Sequence, residues 1–334
     1  MELMVSVSSL PPVLILLHDS VAVNNKRQSV KIWYLNFILK HKKSHKDNKK
    51  LWCCFLLYLL LHPKSDKMLK FISFGSGSCG NCYYLYTETE GLLIDSGIGI
   101  RTLKKFFHDY GCSLGDVNNI LVTHDHADHV KAVGCLSQDY NIPVYATDEV
   151  HKGIACNYCV RKKVSPDNIR YICKGETFVL GSFSVTPFDV PHDSRDNVGY
   201  KIVYGGTTFC LITDVGHVTP DIERYIGEAD YLVIEANHDE EMLLNGTYPR
   251  HLKLRVSGPS GHLSNKSCAE AIARSATGRL KHVWLCHLSQ ENNHPELARK
   301  TVEMVLGENG IVAGCDFSLD ILKRKTPTGV FELE

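Results

Sequence analysis

The sequence lacks a hydrophobic run long enough to cross a lipid bilayer as a helix. Its apolar run Leu51–Leu61 is well short of the roughly 20 residues that a membrane-spanning helix needs. The stretch Met4–Leu17 lacks the basic first part and the clear small-residue cleavage site of a secretory signal. We therefore expect no stable membrane association, and a single weak anchor is the alternative that these runs leave open.

The sequence also lacks a net charge, because 37 Lys and Arg residues balance 37 Asp and Glu residues. This balance conceals an asymmetry along the chain. Residues 1–67 hold 11 basic and 4 acidic residues, which leaves 26 basic and 33 acidic residues in 68–334. The larger part of the chain is therefore acidic by 7 charges before any bound metal is counted.

Converging CxxC pairs of the kind that build structural zinc sites are also missing. The chain has 13 cysteines, but several lie inside apolar runs that read as strands, such as Cys210 and Cys286. A free thiol in such a run packs as a small hydrophobic group. Since disulfides are rare in the cytosol, this usage indicates a cytoplasmic protein with free cysteines.

The first 67 residues differ from the rest of the chain. Short apolar runs alternate there with Lys-rich ones, without a sustained helical or strand period. Met68 is followed directly by the strand-like run LKFISFG. We expect residues 1–67 to be an N-terminal extension that is disordered or a mis-assigned start, and residues 68–334, which show neither internal repeat nor low-complexity linker, to be one hydrolase domain.

Short β-rich runs bounded by Gly, Asn and Asp dominate the region after Met68, and they give way to alternating helices and strands. This order predicts an α/β fold in which two mixed sheets pack together with helices on both outer faces, an αββα four-layer sandwich. The helices are expected near the following residues: Arg101–Tyr110, Asp221–Gly227, Lys266–Ala276 and Pro295–Leu306.

The most informative string is THDHADH at residues 123–129, at the end of a β-branched strand. Side chains alternate along an extended chain, so His124 and His126 point to the same side. A helix that begins just afterwards brings Asp128 and His129 to an adjacent position. Imidazoles beside carboxylates favour divalent cations such as zinc or manganese.

HxHxDH after a strand is the signature of the metallo-β-lactamase superfamily, which the chain resembles from Met68 to near its C-terminus. The superfamily also has a His, an Asp and a final His at later strand ends, and this sequence has all three in order. The resemblance implies two divalent metal ions, zinc or manganese, and a catalytic part for Asp128. It implies that one ion is bound by His124, His126 and His192, the other by Asp128, His129 and His287, and that Asp214 bridges both.

Asp95, in the run GLLIDSG, matches an acidic residue that supports the metal loop in that superfamily without binding metal. A simple turn-capping Asp explains Asp95 nearly as well on sequence alone.

The segment GHLSN, residues 261–265, precedes a helical pattern that Ser264 or Asn265 can cap. A helix N-terminus attracts phosphate, so both residues are candidate substrate-binding residues. His262 lies just upstream and is the candidate that donates a proton to a departing oxygen. A polar loop with a helix cap explains the same residues without a function.

More narrowly, runs such as GSGSCGNCYYL, EANHDEEMLLNGTYP and HLSQENNHPELA resemble the bacterial YycJ/WalJ-type nuclease branch. That resemblance implies a 5′ to 3′ exonuclease acting on double-stranded DNA, with Asn237 and His238 on the substrate side. An Asx turn at the strand end is the alternative for these two residues. Cys79 stands where the branch usually has Ser, which leaves its effect open.

The acidic composition of residues 68–334 argues mildly against a nucleic-acid substrate. Two cations add about four positive charges at the site, and basic runs occur at Arg161–Lys163 and Lys253–Arg255. These charges weaken the objection without removing it, and DNA remains the substrate that the resemblance implies. A small phosphodiester, a lactone or a thioester is the alternative, and the oligomeric state is not predicted.

Overall fold

The computed structural model describes residues 68–334, and in this part of the chain two seven-stranded sheets pack face to face. The predicted extension, residues 1–67, lies outside the described residues, so its nature and the boundary at Met68 stay predictions. Within the described part, every helix is too short or too polar to span a lipid bilayer.

The first sheet has the strand order β14-β1-β2-β3-β4-β5-β6. The pairs from β14 to β3 are antiparallel, and the pairs from β3 to β6 are parallel. The C-terminal strand β14 pairs with β1 and forms one edge of this sheet. Its strands are β1 Leu69–Gly75, β2 Cys82–Tyr86, β3 Gly91–Ile94, β4 Asn119–Leu121, β5 Val144–Ala146, β6 Ile169–Tyr171 and β14 Thr328–Leu333.

The second sheet has the order β13-β12-β11-β10-β9-β8-β7. Strands β7 to β10 form antiparallel pairs, whereas β10, β11, β12 and β13 run parallel. Their C-terminal ends therefore meet at one edge. The strands are β7 Phe178–Leu180, β8 Phe183–Asp189, β9 Val198–Tyr204, β10 Thr207–Ile212, β11 Tyr231–Glu235, β12 His282–Cys286 and β13 Ser318–Ile321.

Helices cover the outer face of both sheets. Three of the four predicted helices begin and end within one residue of prediction, and the fourth begins at Pro295 but continues two residues further. The helix expected just after His126 is present as α2, and α3, α4, α6 and α7 are additional. The helices are α1 Ile100–Asp109, α2 Ala127–Val130, α3 Val133–Asp139, α4 Asp148–Cys156, α5 Pro220–Glu228, α6 Glu240–Asn245, α7 Arg250–Val256, α8 Asn265–Ser275 and α9 Pro295–Glu308, with 3₁₀ turns at Leu114–Asp116 and Pro166–Asn168.

A hydrophobic core lies between each pair of adjacent layers, three cores in all within the described residues. The central core joins the two sheets, and in β9 every second residue from Val198 to Tyr204 contributes to it, as alternation along a strand requires. One outer core packs α1, α3 and α4 on the first sheet, and the other packs α5, α8 and α9 on the second. The fold is the αββα four-layer sandwich that the sequence predicts.

Candidate metal centre

Polar side chains collect where the strands of both sheets end at one edge of the sandwich. Asp95 follows β3, Asp214 follows β10 and His287 follows β12, and all three are buried. Their φ angles are 58°, 56° and 53°, in the left-handed region that non-glycine residues seldom adopt. Asn141 is the other such residue of the described chain. Strained backbone of this kind is concentrated at functional sites.

The metal loop, residues 123–129, turns sharply after β4 and leads into α2, for which His126 is the N-cap residue. Two close backbone contacts hold the turn. The Asn81 amide donates to the Asp128 carbonyl at 2.7 Å, and a Cβ on Gly97 would lie 1.6 Å from the same carbonyl oxygen. Only glycine fits at position 97 without moving the loop that carries the candidate ligands.

The first ligand group consists of His124, His126 and His192, each of which offers a nitrogen atom within 4.8 Å of the others. His192 Nδ1 lies 3.0 Å from the Gly261 carbonyl, which can only accept a hydrogen bond, so Nδ1 carries the proton. The Nε2 atom therefore keeps its lone pair. Burial lowers the pKa of His192 and lowers that of His124 well below its usual value. Both rings are thus neutral, as metal ligands must be.

The second ligand group consists of Asp128, His129 and His287. Asp128 Oδ2 lies 3.7 Å from His129 Nε2 and 3.6 Å from His287 Nε2. Burial raises the pKa of the Asp128 carboxyl, but the nearby imidazoles outweigh it and hold the pKa at about 2. The carboxylate is therefore ionised at neutral pH.

Asp214 lies between the two groups. Its Oδ2 atom is 3.3 Å from His129 Nε2 in the second group, and its Oδ1 atom is 3.7 Å from His192 Nε2 in the first. Asp214 also forms a third cluster with His124 and His129. The structure thus brings all seven predicted ligands together, and Asp214 has the central place that a bridging carboxylate needs.

The chemistry of this donor set fits divalent cations. The Nε2 atoms of His124, His192 and His287 are buried without a hydrogen-bond partner. Such atoms normally find a partner, and three of them beside two carboxylates indicate metal ligands. Imidazole and carboxylate donors suit zinc and manganese.

Asp95 supports the second group from behind. Its Oδ2 atom accepts hydrogen bonds from His129 Nδ1 at 2.7 Å and from the Thr123 hydroxyl at 2.8 Å, and its Oδ1 atom accepts from the Thr123 amide. The carboxylate fixes the ring so that His129 Nε2 points to Asp128 and Asp214. Asp95 takes the supporting position expected for it, behind the metal loop.

Glu235, the last residue of β11, was missed by the sequence reasoning. Its Oε1 atom accepts hydrogen bonds from Nδ1 of His262 and Nδ1 of His287, both at 2.8 Å. Its Oε2 atom accepts from the amides of Val215 and Leu263. Burial raises the pKa of Glu235, but the charge of His262 and the hydrogen bonds from His262 and His287 outweigh burial and hold the pKa at about 2. Glu235 thus couples a candidate metal ligand to the candidate proton donor.

His262 lies at the mouth of the site, with its side chain 18% exposed. Its ring centre is 5.1 Å from that of His192 and 5.3 Å from that of His287. Burial lowers its pKa, but the Glu235 carboxylate outweighs burial and raises the pKa above the usual value. His262 therefore favours its protonated form.

A competing set of possible ligands contains Asp214, Glu235, His262 and His287. In this set the Nδ1 atoms of His262 and His287 are already hydrogen-bonded to Glu235. Its short distances follow from that hydrogen-bond network, so we favour the groups that use the free Nε2 atoms.

A family model described as a beta-lactamase superfamily domain matches residues 91–287, a span that contains both ligand groups. The chain belongs to the metallo-β-lactamase superfamily. Among solved structures of this fold, Zn(2+)-bound PqqB from Methylobacterium extorquens superimposes with a TM-score of 0.59 at 17% identity, covering 78% of this chain and 99% of PqqB.

Two curated relatives are similar over most of their length. The exodeoxyribonuclease YycJ of Bacillus anthracis is 35% identical over 262 residues, which cover 78% of this chain and 98% of the relative. The exodeoxyribonuclease WalJ of Streptococcus pneumoniae is 33% identical, covering 80% of this chain and all of the relative. Together with the superfamily fold and the donor set, these relatives make the chain a metal-dependent hydrolase.

The four predicted substrate-binding residues are all buried. Asn237 donates from Nδ2 to the His287 carbonyl at 2.9 Å, and Asn265 exchanges side-chain hydrogen bonds with Asn293. Ser264 is the N-cap of α8, and His238 has an unpartnered Nδ1 atom. The Asn237 contact holds the backbone of His287, and the substrate-binding role of all four residues stays a prediction.

The Gly/Ser-rich loop after β1 also contacts the second ligand group. Asn81 Nδ2 lies 2.8 Å from His129 Nε2 and 3.3 Å from Asp128 Oδ2. The Ser76 hydroxyl accepts a hydrogen bond from the His287 amide at 2.9 Å. Cys79, in the same loop, is exposed. Asn81 and Ser76 were not singled out by sequence, because Gly/Ser-rich loops read first as turns.

Proposed function

We propose that the protein is a two-metal phosphodiesterase that degrades double-stranded DNA as an exonuclease, in the 5′ to 3′ direction. The similarity to YycJ and WalJ, whose names describe exodeoxyribonucleases, supports DNA as the substrate. The free cysteines of the described chain support a cytoplasmic location.

The convergence of two ligand groups on one buried carboxylate is the observation that carries this proposal. His124, His126 and His192 would hold one cation, and Asp128, His129 and His287 would hold the other, with Asp214 shared. Zinc or manganese bound there would activate water near neutral pH and stabilise the charge that develops on the phosphate.

Two residues of this chain would handle protons and water during hydrolysis. Asp128 is ionised and 24% exposed, so it can accept a hydrogen bond from the attacking water and orient it. His262 has Nδ1 fixed on Glu235, which leaves Nε2 to donate a proton to the departing oxygen. The Glu235 carboxylate raises the pKa of His262, which stabilises the protonated form that a proton donor needs.

A small phosphodiester, a lactone or a thioester is the second candidate substrate. The excess of acidic over basic residues in 68–334 favours it, since proteins that bind long nucleic acids usually carry a basic surface. Fold alone does not separate these substrates, because one site geometry serves several chemistries.

Incubation of the metal-loaded protein with four substrates separates the candidates. Duplex DNA labelled at the 5′ end and the same duplex labelled at the 3′ end are compared with a cyclic nucleotide and a thioester. We expect early release of the 5′ label as mononucleotides, with slow or no hydrolysis of the other two compounds. Rapid hydrolysis of a small compound with intact DNA would contradict the proposal.

A further inference from the structure

The catalytic edge of the second sheet ends in a basic segment to which sequence reasoning gave no function. Strands β10, β11 and β12 run parallel and end in site residues. Their parallel neighbour β13 ends at the same edge and is followed, after Leu322, by Lys323, Arg324 and Lys325. Ligands of parallel α/β sheets bind outside the carboxyl ends of the strands, so this segment lies where a substrate would pass.

The pairing of β12 with β13 brings Lys323 close to a candidate metal ligand. Leu285 of β12 pairs with Ile321 of β13, and the Leu322 amide donates to the Leu285 carbonyl. Two residues further along each strand are His287 and Lys323. The strand pairing ends before these residues, and Ser76, which hydrogen-bonds to both His287 and Lys323, links the basic segment to the second ligand group.

Backbone contacts hold this segment against the site. The Ser76 amide donates to the Lys323 carbonyl at 3.1 Å, while the Ser76 hydroxyl accepts from the His287 amide. Arg324 donates to the Ser289 carbonyl at 2.9 Å and packs on Gly77, where a Cβ would lie 3.3 Å from its Cγ atom. The lysines are thus presented from a fixed backbone.

The charges of Lys323 and Lys325 are not neutralised within the described chain. Both side chains are exposed, and neither has a carboxylate within ion-pair distance among residues 68–334. In each of the basic runs noted in the sequence, by contrast, one cation is paired with a carboxylate, Lys162 with Asp139 and Arg255 with Asp193. Unpaired, exposed cations next to a hydrolytic centre attract phosphates.

We propose that Lys323 and Lys325 bind backbone phosphates of the DNA next to the scissile bond, on the side of the second ligand group. This inference rests on the proposed function, and it adds the part of the surface that holds a long substrate. Phosphate contacts of this kind position DNA without reading its sequence. Arg324 holds the segment in place through Ser289.

The test compares Lys323→Gln/Lys325→Gln with a matched control in cleavage of end-labelled duplex DNA at several salt concentrations. The control, Lys104→Gln/Lys105→Gln, removes two exposed charges of α1, on the outer face of the first sheet, and neither lysine has a carboxylate within ion-pair distance in the described chain. We expect the first variant to raise KM by about tenfold at moderate salt. We also expect the slope of log KM against the logarithm of the salt concentration to fall by about 1 to 2. Its kcat should change by less than about twofold, and the control should match the unsubstituted protein.

Three outcomes would overturn the inference. If the unsubstituted protein cleaves DNA, unchanged KM and salt dependence in the first variant would overturn this inference and leave the proposed function standing. An equal effect in the control would assign the change to overall charge. No cleavage of DNA by the unsubstituted protein would overturn the inference together with the proposed function. Lys325→Gln alone, at a side chain without a hydrogen bond in the described chain, repeats the test if the double variant melts early.

Discussion

Both ligand groups of the metal centre contain histidines, but these histidines are supported by different kinds of hydrogen-bond partner. In the first group, neutral acceptors hold the histidine Nδ1 atoms. His124 Nδ1 lies 3.0 Å from the Thr123 hydroxyl, whose proton goes to Asp95, and His192 Nδ1 donates to the Gly261 carbonyl. Burial dominates here and lowers the pKa of both histidines.

In the second group, each histidine is supported by a buried carboxylate. Asp95 holds His129 and Glu235 holds His287, with hydrogen bonds of 2.7 and 2.8 Å. Burial lowers the pKa of both rings, but Asp214 and these carboxylates outweigh it. They raise the pKa of His129 to about 10 and that of His287 well above its usual value, so a cation bound by the second group would have to displace a proton from Nε2 of each ring.

This difference assigns separate tasks to the two groups. A carboxylate behind an imidazole fixes the ring and increases its basicity as a ligand. In this protein the carboxylate Glu235 also holds His262, the candidate proton donor. In the proposed mechanism, one buried residue beside the second group therefore serves both ligand support and proton donation. Substitutions there should affect chemistry more than equivalent ones in the first group.

The largest effect is expected from His262→Ala. General acid catalysis contributes about 10²- to 10⁴-fold, so kcat for DNA should fall by that factor while two metal ions remain bound. His217→Ala is the matched control, because His217 is exposed and contacts Pro259 instead of the ligand groups. Full activity of His262→Ala would make the segment before α8 a structural cap and remove the main chemical argument for a nuclease.

His287→Ala separates ligand from proton donor in the same experiment. Loss of the His287 side chain should remove the metal ion of the second group, because His287 Nε2 is one of the buried nitrogens without a hydrogen-bond partner. Metal analysis and kinetics of both variants decide the assignment. If His262→Ala loses a metal ion and His287→Ala does not, the two roles are exchanged, whereas loss of a metal ion in both variants would favour the competing set with Glu235.

A smaller effect is expected when the supporting carboxylates become amides. Residues behind metal ligands typically contribute about 10- to 100-fold to activity or metal affinity. Glu235→Gln should lie near the upper end because it weakens His262 and His287 together, and Asp95→Asn near the lower end because it weakens only His129. Measurement of kcat/KM at saturating metal gives the comparison. A larger loss in Asp95→Asn would show that proton donation does not depend on Glu235.

The smallest effect is expected from removal of residues 1–67. Every candidate site residue lies after Met68, so a chain that begins there should keep the activity and melting temperature of the full chain. Thermal unfolding and DNA hydrolysis measured side by side test this. A large drop in either would show that residues 1–67 contribute to the domain.

Much of the fold could be read from the sequence, because its signals are local. Helix α9 begins at Pro295, a residue with a fixed backbone angle that suits the first turn. The short helices α6 and α7 were missed, because six or seven residues give too little helical periodicity. The pairing of β14 with β1 joins residues more than 200 positions apart, and no local pattern encodes such a contact.

The site could be predicted where chemistry follows a spacing. The ligands of the metal loop are clustered in seven residues, so His124 and His129 could be recognised together. Glu235 is a single acid at the end of an apolar run, and its role depends on His262 and His287, which are distant in sequence. An acidic residue in an otherwise apolar strand was the available signal.

Metal content is the most direct test of the central claim, that seven side chains hold two cations around Asp214. We predict about two equivalents of zinc or manganese per chain in the protein prepared without chelators, measured by elemental analysis. Asp128→Ala and Asp214→Ala should each reduce this content, with the larger loss for Asp214→Ala because it contacts both groups. Less than one equivalent in the unsubstituted protein, unchanged in both variants, would contradict the two-metal account.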